Sequence, residues 1–157
     1  MKLFVRTLFA LVLFTSCSSN SASELDWPSV TVQNIDGVTI DSSTVFRGNT
    51  TVISLWSTTC VPCRIELPQL QEFAATHPEI DVIAVNLGDV PNSVQQYVQE
   101  LGLTMPVIID FEGRVSTALG ITSLPSTLVL SPDGKVVTTH LGEITADELA
   151  SLVETSS

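Results

Sequence analysis

From Thr50 onward the apolar residues alternate between short continuous runs and stripes of helical period. The run TTVISLWS (50–57) is β-branched and apolar, which predicts a buried strand. It leads into a segment that reads as a helix to about Thr76, where His77-Pro78 stops it. DVIAVNL (81–87) predicts a second buried strand. PNSVQQYVQELG then places Val94, Tyr97, Val98 and Leu101 on one helical face, with Gly102 at its end. MPVIID gives a third strand and EGRVSTALG a short helix. STLVLSPDGKVVTTHLG reads as a hairpin turning at Asp133-Gly134, and TADELASLVE as a closing amphipathic helix capped by Thr145. Upstream, VTVQNIDGVTI sets Val30 and Val32 before Asp36-Gly37 and Val38 and Ile40 after it, which predicts two short strands around a turn. Ser42 and Ser43 are the expected caps of a short helical turn through Phe46.

Repeated β-α-β units predict parallel strands with helices on both faces, and the final hairpin adds an antiparallel edge. There is no internal repeat. The expectation is a single α/β domain over residues 28–157, within the size range of one well-packed core.

The N-terminus differs in kind. MKLFVRTLFALVLFTSC carries Lys2 and Arg6 in or beside an apolar stretch from Leu3 to Phe14, which is shorter than the roughly 20 residues of a spanning helix. It reads as a bacterial export signal over residues 1–16. FTSC resembles the lipobox of bacterial lipoproteins, in which the signal is cut before a lipid-bearing cysteine; Phe14 departs from the usual Leu. Cys17 is therefore the expected lipidation site. Ser18, in place of the Asp that retains lipoproteins at the inner membrane, points to the outer membrane in a Gram-negative host. Residues 17–27, which comprise Cys17 and most of the Ser-rich stretch SSNSASELDWPS (18–29), read as a flexible tether.

Charge narrows the partners. Six basic residues against 17 acidic ones give a formal net charge of −11, a surface that repels phosphate backbones and anionic head groups. Nucleic acid is not an expected partner. Export also sets the redox environment: outside the cytoplasm a cysteine pair meets oxidants, so any reducing role needs a dedicated electron donor.

The candidate chemistry lies in STTCVPCRIELP (57–68). A structural zinc site wants four soft ligands, whereas here there is one CxxC pair, and His77 and His140 lack ligand spacing. No metal is expected, although two thiolates suit Cu(I). A structural disulfide over so short a loop removes little entropy from the unfolded chain. As a redox pair the residues have a mechanism. Cys60 falls at a strand-to-helix junction, where free N–H groups and the helix dipole favour its thiolate, so it is the expected nucleophile. Cys63, one turn into the helix, is the expected resolving thiol, and Pro62 suits the first turn.

From about residue 27 to 155 the chain resembles the TlpA/ResA-like thioredoxin family of exported thiol-disulfide oxidoreductases. LWSTTCVPCRIELPQL, with Trp56, the CVPC pair, Glu66 and Pro68, and GITSLPSTLVLSPDGKVV, with Pro125 and Asp133-Gly134, carry the match. The resemblance implies a thioredoxin fold: a central mixed sheet flanked by helices, with an N-terminal β-hairpin extension. It implies a redox-active Cys60–Cys63 disulfide, a cis Pro125 beside it, a substrate-binding surface of Trp56, Leu124 and Pro125, and Glu66 as a carboxylate near the pair. It implies no cofactor. The partners it implies are protein thiols or disulfides, including those of cytochrome c maturation, and a membrane thiol-reductase donor; the lipid on Cys17 supplies membrane contact. Thr59 stands where the family usually has Trp, and Ser54 where cytoplasmic thioredoxins keep a buried Asp. A peroxiredoxin-type peroxidase is a weaker alternative, because Ile53 and Ser57 replace the Pro and Thr of that motif. A redox-inert or copper-carrying binding module is the non-enzymatic one.

Overall fold

The computed structural model describes residues 25–46 and 48–156; the export signal, Cys17 and most of the tether lie outside the described residues. The elements are β1 (Leu25–Asp26), β2 (Thr31–Asn34), β3 (Thr39–Asp41), β4 (Thr51–Trp56), α1 (Val61–Thr76), β5 (Asp81–Leu87), α2 (Pro91–Leu101), β6 (Val107–Asp110), α3 (Arg114–Leu119), β7 (Ser126–Leu130), β8 (Lys135–Leu141) and α4 (Ala146–Glu154). They form one mixed sheet in the order β1-β8-β7-β4-β5-β6-β2-β3. β4 pairs in parallel with β5, and β5 with β6, whereas β7 runs antiparallel to β4.

The uninterrupted apolar run of β4 has its reason here, because every residue of that strand is buried between two layers. Successive side chains alternate across the sheet. Val52 and Trp56 pack with Cys63, Leu67, Leu70, Tyr97 and Leu149, which puts α1, α2 and α4 on one face. Ile53 and Leu55 pack with Val115 and Leu119 of α3 on the other face. Helices therefore cover both faces as expected, three against one, because the crossovers β4-α1-β5 and β5-α2-β6 step in the same direction and keep one hand.

The local signals hold where the backbone demands them. Gly102 ends α2 in the left-handed region at φ 62°, and Gly134 closes the β7–β8 turn at φ 84°. Thr145 and Glu148 form a reciprocal capping box at the start of α4. Pro68 lies inside α1, where it has no N–H to offer the carbonyl of Arg64.

Two boundaries differ from expectation. The short 3-10 turn over Ser42–Val45 is capped by Asp41, whose carboxylate accepts from the Ser43 N–H; Ser42 is buried instead and donates its hydroxyl to the Pro28 carbonyl. Leu25, Asp26 and Trp27, assigned to the tether from sequence, belong to the fold. Leu25 and Asp26 pair with Val136 and Lys135 of β8. Trp27 is buried, with its indole N–H donated to the Ser42 carbonyl.

Candidate active site

Cys60 is the N-cap of α1, with extended backbone angles, and the Cys63 N–H points at its Sγ at 3.3 Å. Capping with sulfur follows from the sequence: β4 ends at Trp56, three polar residues turn the chain, and Pro62 presets the first helical turn. A thiolate at this position receives a backbone hydrogen bond and the favourable end of the helix dipole. Cys60 is partly exposed whereas Cys63 is fully buried. The two are joined by a disulfide.

The loop that delivers Cys60 is fastened from β5. Asp89 Oδ2 accepts from the Thr58 N–H at 2.6 Å and from Asn86 Nδ2 at 2.8 Å, while the Asp89 N–H donates to Asn86 Oδ1 at 3.3 Å. Asn86 is fully buried and stands opposite Trp56 in the β4–β5 register. Sequence reading did not find this brace. Its only trace was the polar Asn-Leu-Gly-Asp stretch ending a buried strand. Asp89→Ala should free the Thr58 amide and cost about 1.5–3 kcal/mol, the usual result of losing a charged hydrogen-bond acceptor. Hydrogen exchange should show faster exchange at Thr58 and Cys60; unchanged protection there would refute the brace.

Glu66 lies three residues after Cys63 on the same buried face of α1, with no exposed surface. Its Oε1 accepts from Ser54 Oγ at 3.0 Å and Thr127 Oγ1 at 3.4 Å, and its Oε2 from the Ile144 N–H at 3.1 Å. Ser54 and Thr127 face each other in the β4–β7 register, so one cross-strand hydroxyl pair holds one carboxylate oxygen. Burial pushes the Glu66 pKa up, opposed by the hydrogen bonds from Ile144, Ser54 and Thr127 and assisted by the charge of Glu143. Ser54, at the place of the buried Asp of cytoplasmic thioredoxins, thus helps hold a carboxylate that enters from the helix.

The Leu124-Pro125 bond is cis. Leu55 pairs with Ser126, so Pro125 continues β7 by one residue alongside Trp56, at the end of the sheet where α1 begins. Pro125 is buried and its carbonyl accepts from the Gly142 N–H at 2.9 Å. Leu124 is half-buried and packs against the cores of both faces. The expected substrate role of Trp56 needs correction. Its side chain is completely buried, with its ring 5.1 Å from that of Tyr97, so it supports the site from beneath and offers no surface to a substrate. The structure therefore gathers Cys60, Cys63, Trp56 and Leu124 around one core cluster, with Glu66 on the next turn of α1 and Pro125 at the adjacent strand end.

The Redoxin family model matches residues 22–154. The chain belongs to the Redoxin family. This Redoxin chain is 30% identical over 113 residues to the thiol-disulfide oxidoreductase ResA of Geobacillus thermodenitrificans (strain NG80-2), covering 71% of its own length and 65%, just under two thirds, of that protein. It is 29% identical over 159 residues to ResA of Bacillus subtilis (strain 168), covering 92% of its own length and 87% of the relative. The crystal structure of StoA from Bacillus subtilis superposes with a TM-score of 0.67 at 27% identity, over 80% of this chain and 99% of that one. The ResA-type resemblance and the thioredoxin fold read from sequence are both borne out. Together with the Cys60–Cys63 disulfide, they make this chain a thiol-disulfide oxidoreductase.

Proposed function

We propose that this protein is an exported, lipid-tethered reductant of disulfides in extracytoplasmic proteins, the CxxCH pair of apocytochromes c among them. The observation that carries the assignment of roles is the division of labour within the pair: Cys60 caps the helix and is partly exposed, and Cys63 is sealed beneath it. In the reduced protein the Cys60 thiolate attacks one sulfur of a substrate disulfide, forming a mixed disulfide and expelling the first substrate thiolate. Cys63 then loses its proton and attacks Cys60 Sγ. The second substrate thiolate leaves, the substrate has gained two electrons, and the Cys60–Cys63 disulfide has formed. Glu66 is the nearby carboxylate for the Cys63 proton, its raised affinity for protons suiting the task. Leu124, half-buried at the active-site end of β7, is the side chain that meets the substrate peptide, and the buried Pro125 fixes the backbone beneath it. A membrane thiol reductase returns the two electrons.

The export reading rests on the residue 1–16 signal, and the tether reading on Cys17. Trapping tests the function directly. A Cys63→Ser variant expressed in cells should accumulate mixed disulfides between Cys60 and extracytoplasmic proteins that dissolve on reduction. Recovery of the variant free of any such adduct would contradict the proposal.

A further inference from the structure

One peptide group in the loop from β8 to α4 is hydrogen-bonded on both sides. His140, near the end of β8, binds the Glu143 carbonyl through Nε2 at 3.2 Å. A carbonyl can only accept, so Nε2 carries the proton in this bond. The N–H of the same peptide, on Ile144, donates to Glu66 Oε2 at 3.1 Å. This peptide is trans, so its C=O and N–H point in opposite directions. The half-buried imidazole therefore stands on one side of it and the fully buried carboxylate on the other. The loop is fixed at both ends: the Gly142 N–H binds the Pro125 carbonyl, and Thr145 is locked in the capping box with Glu148. His140 also stands opposite Thr127 in the β7–β8 register, on the face where the Thr127 hydroxyl donates to Glu66.

We infer that His140 is a positioning residue for the dithiol reaction: through the Glu143–Ile144 peptide it aligns and strengthens the hydrogen bond that holds Glu66 ionised and ready for a proton. This rests on the proposal that Glu66 takes the Cys63 proton. Hydrogen bonds in series polarise one another, and an imidazolium makes the outer bond charge-assisted. Both favour the carboxylate on the inner side. Burial is the main influence on Glu66 and pushes its pKa up; of the hydrogen bonds that oppose burial, the one from Ile144 counts most. An outside group therefore acts most strongly on Glu66 through this peptide. The other charges that face the pair come from α4 and the loop. Glu148 of α4 is held ionised mainly by the Thr145 N–H and hydroxyl, with a smaller contribution from His140. Glu143 opposes the charge on Glu66. β7 faces the pair with the neutral Thr127, and α1 brings Glu66 itself with Cys63 one turn before it.

The test uses the full-length protein, reduced and carrying 13C at its glutamate carboxyls; the Glu66 resonance is the one missing from Glu66→Gln. In His140→Ala the Glu66 titration should move to higher pH. In His140→Gln, whose amide can donate to the same carbonyl, it should return most of the way to the wild-type position. Stopped-flow reaction with dithiodipyridine then reads the consequence. Cys60 attacks the reagent, forms a mixed disulfide and releases one pyridine-2-thione. Cys63 gives its proton to Glu66, attacks Cys60 Sγ and releases the second, closing the Cys60–Cys63 disulfide. The acid limb of the second phase should follow the carboxyl, so that this phase is about threefold slower in His140→Ala at acidic pH, with the first phase as the reference. An unmoved Glu66 titration in His140→Ala would overturn the inference, as would a His140→Gln protein no nearer to wild type than His140→Ala. If the second phases of wild type and Glu66→Gln share one pH profile, Glu66 does not take the Cys63 proton, and the part of His140 in the reaction falls with that proposal.

Discussion

A Cys60→Ser variant is expected to lose thiol-disulfide exchange by at least about a thousandfold while keeping its fold, since the nucleophile itself is removed. The loss follows from geometry. Cys63 has no exposed surface, so it cannot take over the attack on a protein disulfide. A serine hydroxyl remains an acceptable N-cap, so the helix keeps a side-chain acceptor for the Cys63 N–H. Alkylation of the reduced wild-type protein reads out the same asymmetry: Cys60 should react much faster than Cys63 near neutral pH. Comparable alkylation rates at the two thiols, or a Cys60→Ser variant that still reduces protein disulfides, would remove the assigned roles.

The second large effect belongs to Glu66. Glu66→Ala would strand the Ile144 N–H and the hydroxyls of Ser54 and Thr127 in a closed interior. Leaving such groups unpaired, together with the cavity, should cost about 3 kcal/mol or more. Glu66→Gln keeps the shape: its oxygen can face the Ile144 N–H and its amide can donate to the two hydroxyls, which accept as well as donate. The two variants also separate charge from packing. Because burial raises the Glu66 pKa in the folded state, the folded protein holds this proton more tightly than the unfolded chain. The associated stability is present in full below the unfolded-state pKa and is lost as pH rises through the raised folded value. Wild-type stability should therefore carry a falling component from acidic toward neutral pH that Glu66→Gln lacks. Urea denaturation across that range would measure it, and parallel curves for the two proteins would show that Glu66 ionises without consequence for the fold.

What the sequence made legible was whatever local pattern controls. The apolar runs of β4 and β5, the glycines at 102 and 134 and the cap at Thr145 each state their structure within a few residues. The redox pair was equally plain, because its chemistry needs only the strand-helix junction and the spacing. What stayed hidden depends on distant partners. Glu66 is held by residues 61 and 78 positions away. Asp89 reaches back 31 positions to Thr58. β1 is two residues long, too short to show an alternating period, and it forms only because β8 offers an edge. Trp56 read equally well as surface or core, since an aromatic at the end of a strand fits both; the Tyr97 ring and the burial of the whole strand decide for core. Ser42 is a good cap by residue type, but its hydroxyl bonds Pro28 across the hairpin instead, and Asp41 takes the cap.

The direction of electron flow is the central claim, and the reduction potential tests it most directly. A strongly stabilised thiolate favours the reduced form and makes a protein an oxidant. In this site Val61 brings no charge or donor and the acidic field opposes further negative charge, so the helix terminus is the feature that favours the Cys60 thiolate, and no extreme stabilisation of it is expected. Equilibrating the purified domain against dithiothreitol or glutathione buffers and counting free thiols gives the potential. The account predicts a value nearer the thioredoxin end of the range, about −270 mV, than the oxidising end, about −120 mV; a value above about −180 mV would make the protein an oxidant or isomerase and contradict it.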